Sequence, residues 1–440
     1  MNAAKTSTTV AQNSVRTFVA RLAAAGLTIA TGVVTAKGLG PAGKGLYSGT
    51  LMLVSFVMVV PSGIATAFVY ALTKQRRSLE ELMPAAGRIL AYLCIAAGLG
   101  AVVWAAIKGP SPVIWIFLAS VPPSTVLTWQ GSLYIGLGRM NNLNIQTFGI
   151  ALATLVCIAI AVFVLHGNAV AALVAWLVCL YGGALVVVWH ALRLSRRADP
   201  GDVSATVRGL ARFGAPNSLN QLLGTLNYRI DSIILISLLG LGSFGIYSIA
   251  VNFGELLFML TRPITAAATR DIGIREVHAA GVMTAKVIRV CTAIAALASL
   301  AAFALGPWVI DTVFGPRFSS GAEPLRILLP GIVAFATAGT FAAFFIVQLG
   351  RPHVVTVINV VMIAIQAVAC FVLVPRLGMS GAALASTVTY IAGAGMNTVW
   401  FCRATSVSPW DVWVVRSADI RLVLQETRAM WRRERAASAA

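Results

Sequence analysis

Charge is scarce in this sequence. Asp, Glu, Lys and Arg make up 11% of its 440 residues, where a soluble domain carries about 25%. Apolar residues make up 58% and mean hydropathy is +0.86, which excludes an ordinary soluble core. Acidic residues are scarcest, 14 against 33 Lys and Arg, for a formal net charge of +19. That excess could suggest nucleic acid, but the basic residues cluster in alternate loops, the pattern that orients membrane proteins, so no nucleic-acid partner is expected. Cysteine and histidine are also few. The six cysteines form no C-x-x-C pair and the four histidines keep no ligand spacing, so neither a metal site nor a cofactor is expected. Long outer loops are missing, as are carboxylate pairs and Ser/His/Asp or Cys/His sets outside apolar runs, which argues against an enzyme. The N-terminus lacks an uninterrupted apolar core: Arg21 breaks it, so a retained helix is expected rather than a cleaved signal.

What is there is apolar length. Runs near 14–36, 46–72, 85–107, 112–137, 142–165 and 169–192 are followed by a second set near 213–239, 243–269, 283–306, 325–349, 353–374 and 379–402. Each is close to the ~20 residues needed to cross a bilayer as a helix. The expected fold is all-α: a polytopic membrane protein of about twelve transmembrane helices, in two pseudo-symmetric six-helix lobes around a central cavity. The expected divisions are a tail at 1–13, an N-lobe at 14–192, a linker at 193–212, a C-lobe at 213–402 and a second tail at 403–440. Lys74, Arg76, Arg77, Arg139, Arg193, Arg196, Arg197, Arg208, Arg212, Arg275 and Arg351 fall on one side. Lys37, Lys44, Lys108, Arg317, Arg326 and Arg376 fall on the other, so both termini are expected in the cytoplasm.

The halves repeat. Leu39-Gly40 and Gly45-Leu46-Tyr47-Ser48 recur 200 residues later as Leu239-Gly240 and Gly245-Ile246-Tyr247-Ser248. Leu137-Gly138-Arg139 is answered by Leu349-Gly350-Arg351, and Ala171-Ala172-Leu173 by Ala382-Ala383-Leu384. Six spans per half is an even number, so the halves share one orientation. The turn from Gly38 to Gly45 imitates a phosphate-binding loop, but it lacks the preceding strand and the Ser/Thr after Lys44.

The seventh span carries the clearest candidate site. Leu219, Leu222, Leu223, Leu226, Ile230, Ile233 and Ile234 share one arc of its wheel. Asn217, Asn220, Gln221, Asn227, Tyr228, Arg229, Asp231 and Ser232 occupy the rest. So wide a polar arc must face water or polar protein, because lipid cannot satisfy it. In the first span Ser14, Thr17, Arg21, Thr28 and Thr35 form a similar stripe. In the second, Ser48, Ser55, Ser62 and Thr66 match Ser248, Glu255, Arg262 and Ala266 of the eighth, with Asn252 beside them. Arg21, Gln221, Asn227, Arg229, Asn252 and Arg262 are therefore candidate binding residues, and Asp231 and Glu255 candidate coupling carboxylates. A buried ion pair or a helix-packing face is the plainer alternative for each. The tail, with Trp410, Trp413, Arg416, Arg421, Arg428, Trp431, Arg432, Arg433 and Arg435, suits a helix lying on an anionic leaflet.

These residues resemble a family. The turn G-L-G-P-A-G-K-G-L-Y-S, the run N-Y-R-I-D-S-I-I-L-I-S-L-L-G and the second-half segments L-L-P-G-I-V, G-R-P and V-P-R-L-G-M-S-G-A-A-L-A-S are similar to bacterial polysaccharide flippases of the Wzx type. Those belong to the multidrug/oligosaccharidyl-lipid/polysaccharide exporter superfamily. The resemblance implies two six-helix lobes in the inner membrane that move a polyprenyl-diphosphate-linked glycan outward, beside polymerase and export machinery, with the first and seventh helices on the cavity. The competing readings are a drug antiporter of the same superfamily or a major-facilitator protein, a lipid II flippase, and a membrane-embedded glycan enzyme. Topology is directly testable: reporter fusions at Gly167 and Gly378 should read as extracytoplasmic and those at Ser195 and Arg351 as cytoplasmic. A cytoplasmic reading at Gly378 overturns the assignment of the second half.

Overall fold

The computed structural model describes residues 2–194 and 203–414, without the side chains of residues 2–19, Arg21, Lys108 and Arg270. Among the described residues all regular structure is helical, and nine helices are long and apolar enough to cross a membrane. Three of them are broken by a single glycine in a backbone conformation that side-chain-bearing residues avoid. Asn2–Val57 breaks at Gly40 (φ 67°, ψ −178°), Val203–Ile274 at Gly240 (φ 80°, ψ 178°) and Pro352–Thr405 at Gly378 (φ 60°, ψ −134°). Each break falls between two apolar runs, so reading these three helices as paired arms recovers the expected twelve segments. The repeated Leu-Gly-Arg turns use the same device, with Gly138 at φ 68° and Gly350 at φ 62°.

The fourth span stays helical across two prolines. Pro112–Gly136 holds Pro122 and Pro123 inside it. A proline at 123 leaves the carbonyl four residues earlier without its helical donor. Tyr181 from Ala169–Leu194 supplies one, its hydroxyl donating to the Ala119 carbonyl at 2.9 Å. A neighbouring helix thus satisfies a backbone group that lipid could not.

The chain divides into two compact units, Met1–Arg229 with Leu241–Gly245, and Ile230–Gly240 with Ile246–Ala440. This differs from the expected division. Helix begins at Val203, inside the stretch read as linker, and the residues from there to Arg229 pack with the first unit. The reason is local. Gly63 and Gly214 lack side chains where Ser218 and Ile64 press on them, which lets two helices approach at backbone distance. Asn217 Nδ2 then donates to Thr66 Oγ1 at 2.6 Å, Phe213 stacks on Tyr70 with centroids 4.6 Å apart, and Arg77 donates to Thr206 Oγ1 at 3.2 Å. The repeated turns also meet inside this unit: a Cβ on Gly45 would collide with the Leu241 carbonyl, and one on Gly245 with that of Pro41.

The second unit is cored by Phe341, Phe344 and Phe401, which meet edge to face at centroid distances of 5.6 Å (Phe341–Phe401) and 4.9 Å (Phe344–Phe401). The start of the expected leaflet-lying tail belongs to this core. In Pro409–Trp413, Val412 is buried, Trp413 Nε1 donates to Thr398 Oγ1 at 3.0 Å, and the Arg289 guanidinium donates to the Asp411 carbonyl. Arg416, Arg421, Arg428, Trp431, Arg432, Arg433 and Arg435 lie outside the described residues.

Gly240 tests the turn. Gly240→Ala should destabilise the protein by about 1–3 kcal/mol, read as a lower melting temperature in detergent. Gly242→Ala should not, because Gly242 is at ordinary φ and an added Cβ there meets nothing within 4 Å.

Candidate functional site

The break at Gly240 brings the two arms of its helix together, and a buried polar cluster forms where they meet. Asp231 lies before the break and Tyr247 after it. The Tyr247 hydroxyl donates to Asp231 Oδ2 at 2.6 Å. The break at Gly378 does the same for the last two spans, where Gln366 Nε2 donates to Ser386 Oγ at 3.0 Å and Ser386 donates on to Asp231 Oδ2, also at 3.0 Å. Asp231 Oδ1 accepts from the Ser232 N–H at 2.6 Å and from its hydroxyl at 3.3 Å. All five residues are buried, and the Gln366 Oε1 atom has no hydrogen-bond partner among the described residues.

Four donors aimed at one carboxylate hold it in a single geometry. Around the carboxylate lie a phenol, two hydroxyls, an amide and a backbone N–H. Such a set can exchange a proton; it does not suit a soft transition metal. Among the described residues no cluster of His, Cys, Asp and Glu has the makings of a metal centre.

The first half carries a matching frame with different charge. At the repeat offset Thr31 stands for Asp231, Tyr47 for Tyr247 and Lys44 for Phe244. Lys44 was counted among outer-loop charges by its position. The structure buries it: its ammonium donates to Thr35 Oγ1 at 3.1 Å and lies 5.7 Å from the Tyr47 ring centroid. The hydroxyls of the first-half stripes are satisfied at home, Thr28 by the Ala24 carbonyl, Thr31 by Leu27, Ser55 by Met52 and Ser62 by Met58. Back-bonding of this kind lets a hydroxyl sit in a helix without water.

The other candidates are spread more widely than the wheel suggests. Asn227 is buried one turn before Asp231, while Gln221, six residues before Asn227, is exposed. Arg229 and Glu255 are half-buried, and Asn252 and Arg262 are exposed. Gln221, Asn227 and Arg229 belong to the first compact unit; Asp231, Asn252, Glu255 and Arg262 belong to the second. The Arg21 side chain lies outside the described residues. Sequence reasoning found Asp231 but missed Tyr247, Gln366, Ser386 and Lys44. Two signals were available: the tyrosine repeated after each glycine turn, and Gln366, the single Gln of the last two spans.

The profile of the family described as "Polysaccharide biosynthesis protein" matches residues 10–269. No curated protein sequence matches the chain. Solved structures match its fold. An inward-facing multidrug resistance MATE family transporter of the MOP superfamily superposes with a TM-score of 0.70 at 15% identity, over 86% of this chain and 94% of that one. The lipid II flippase MurJ, in an inward closed conformation, gives 0.70 at 12% identity, over 91% and 89%. The Vibrio cholerae MATE transporter VcmN in its bent form gives 0.60 at 14%, over 92% and 100%.

Removing one donor from Asp231 tests the cluster. Tyr247→Phe should cost about 1.5–3 kcal/mol, the range for a hydrogen bond to a charged group. Asp231→Asn with Tyr247→Phe should cost less than the sum of the two single changes. Additive losses in melting experiments would show that the two side chains do not act together.

Proposed function

Because the chain belongs to the polysaccharide biosynthesis protein family, we propose that it is a flippase of the Wzx type, carrying a polyprenyl-diphosphate-linked oligosaccharide from the inner to the outer leaflet of a bacterial inner membrane. It is a multi-pass membrane protein with the fold of MOP-superfamily transporters and flippases. Family and fold alike point to transport rather than to an enzyme. The family match carries the finer reading. Fold likeness does not choose between a drug transporter and a lipid II flippase, since both reach the same TM-score.

In this proposal both termini are cytoplasmic, and the protein works beside the enzymes that assemble and polymerise the glycan. The anionic diphosphate is recognised by Arg21 and Arg229, whose planar guanidinium groups offer paired donors to phosphate oxygens and stay charged in a partly dry site. Arg262 adds charge, and Gln221, Asn227 and Asn252 contact sugar hydroxyls. The polyprenyl tail stays in the bilayer while the head crosses, and the two halves rock about the cargo. Asp231 and Glu255 couple the movement to an ion. Asp231 suits this role because its cluster can be broken and remade by one proton.

The test is glycan export in cells with matched protein levels. Arg229→Ala should abolish export and leave lipid-linked glycan in the inner leaflet; Arg229→Lys should restore it only in part. Asp231→Asn and Glu255→Gln should slow turnover or remove its pH dependence. Wild-type export by both Arg21→Ala and Arg229→Ala would remove the anion-binding role.

A further inference from the structure

A second feature lies wholly within the first unit. Met140–Ala159 and Ala169–Leu194 leave between them a groove of about 470 Å³ floored by buried Tyr134, Gln146 and Cys179. One end is polar. Arg139, exposed just after the Gly138 turn, donates from Nη1 to His190 Nε2 at 3.2 Å. A guanidinium has no lone pair to offer, so Nε2 accepts and the imidazole proton sits on Nδ1, towards the Tyr134 hydroxyl at 3.1 Å. Tyr134 donates to Gln146 Oε1 at 3.0 Å, and Gln146 Nε2 to the Gly183 carbonyl at 2.8 Å. The chain of hydrogen bonds runs one way, from arginine inward. It holds Arg139 in place by one donor and, among the described residues, leaves most of its N–H groups unused. Asn142 Nδ2 stands beside His190, 3.4 Å from Nε2.

The other end is apolar and open. Ile145 is 64% and Val186 51% exposed. Gly149 and Gly182 face the groove, and a Cβ added to either meets nothing within 4 Å. Neither has a positive φ, and glycine inside a helix is destabilising. Their neighbour Gly183 differs, since a Cβ there would press on Ile150 and Leu127. Gly183 permits packing; Gly149 and Gly182 contribute empty width. Arg193 lies over the Trp189 ring at 3.8 Å, flanking His190 with the aromatic–cationic pair typical of the membrane interface. No carboxylate lines the groove among the described residues.

We propose that this groove binds an anionic phospholipid of the bilayer, its phosphate held by Arg139 and Asn142 at the interface and one acyl chain lying along Gly149 and Gly182. The polar end alone would suit free phosphate, but the open apolar run beyond it needs a ligand with a chain. Bilayer phospholipid is also present in great excess over any polyprenyl phosphate, so mass action favours it.

The full-length protein, exchanged from detergent into vesicles of phosphatidylglycerol and phosphatidylethanolamine and re-extracted, is examined by native mass spectrometry. Wild type should retain phosphatidylglycerol in preference to phosphatidylethanolamine. Arg139→Gln should lower that retention about tenfold, or about 1.4 kcal/mol. Gly182→Leu should lower it comparably while leaving every polar group in place, and the open space around Gly182 lets this variant fold. Equal retention by wild type and both variants, or no preference between the two lipids, overturns the proposal. So does displacement by inorganic phosphate, which would mark a free-anion site, or by polyprenyl phosphate at lower concentration than phosphatidylglycerol, which would mark a cargo site.

Discussion

A chain that crosses a bilayer repeatedly must reverse direction while leaving as few backbone groups as possible unsatisfied. This protein does so with single glycines held at positive φ. Gly40, Gly240 and Gly378 each break a long helix at one residue, and the helical hydrogen bonding resumes at once on the far side. Because the turn is so short, residues soon after it face residues soon before it. Tyr247 reaches Asp231 in this way, Lys44 reaches Thr35, and Ser386 meets Gln366. The buried polar clusters are products of the turns, and a longer loop would have scattered the same side chains.

The two halves use that frame for opposite charges. In the second, a carboxylate collects hydroxyl, amide and backbone donors. In the first, Thr31 replaces the carboxylate and the buried charge is the ammonium of Lys44, held by a hydroxyl and an aromatic face. Removing a charge from water is costly, and a residue of either sign persists there only when its partners are built in. Duplication thus preserved the geometry and let the electrostatics diverge.

Small residues serve three distinct purposes in the fold. At Gly63, Gly214 and Gly183 they let helices touch, at Gly45 and Gly245 they let two turns interlock, and at Gly149 and Gly182 they leave open width beside the bilayer. Prolines are tolerated by a related economy: the carbonyl freed by Pro123 is taken up by Tyr181 from another helix. In water such groups would be solvated without help. In lipid each needs a named partner, which is why the polar side chains of apolar helices are so often spoken for.

The sequence by itself determined the membrane class, the apolar spans, the internal repeat and the candidacy of Asp231. Each of these follows from one-dimensional patterns: apolar runs of bilayer length, basic loops, glycine turns at a fixed offset, and a carboxylate where lipid would not tolerate one. Only the tertiary structure decided which groups meet. Asp231 meets Tyr247 and Ser386, and Ser386 in turn meets Gln366, the last two more than a hundred residues from Asp231 along the chain. A helical wheel assigns residues to faces but does not say what covers each face. It could not separate buried Asn227 from exposed Gln221, or place Lys44 inside a helical bundle rather than at its edge. Periodicity is a local property of the backbone, whereas burial and pairing depend on neighbours brought close by turns and by glycines that let backbones touch.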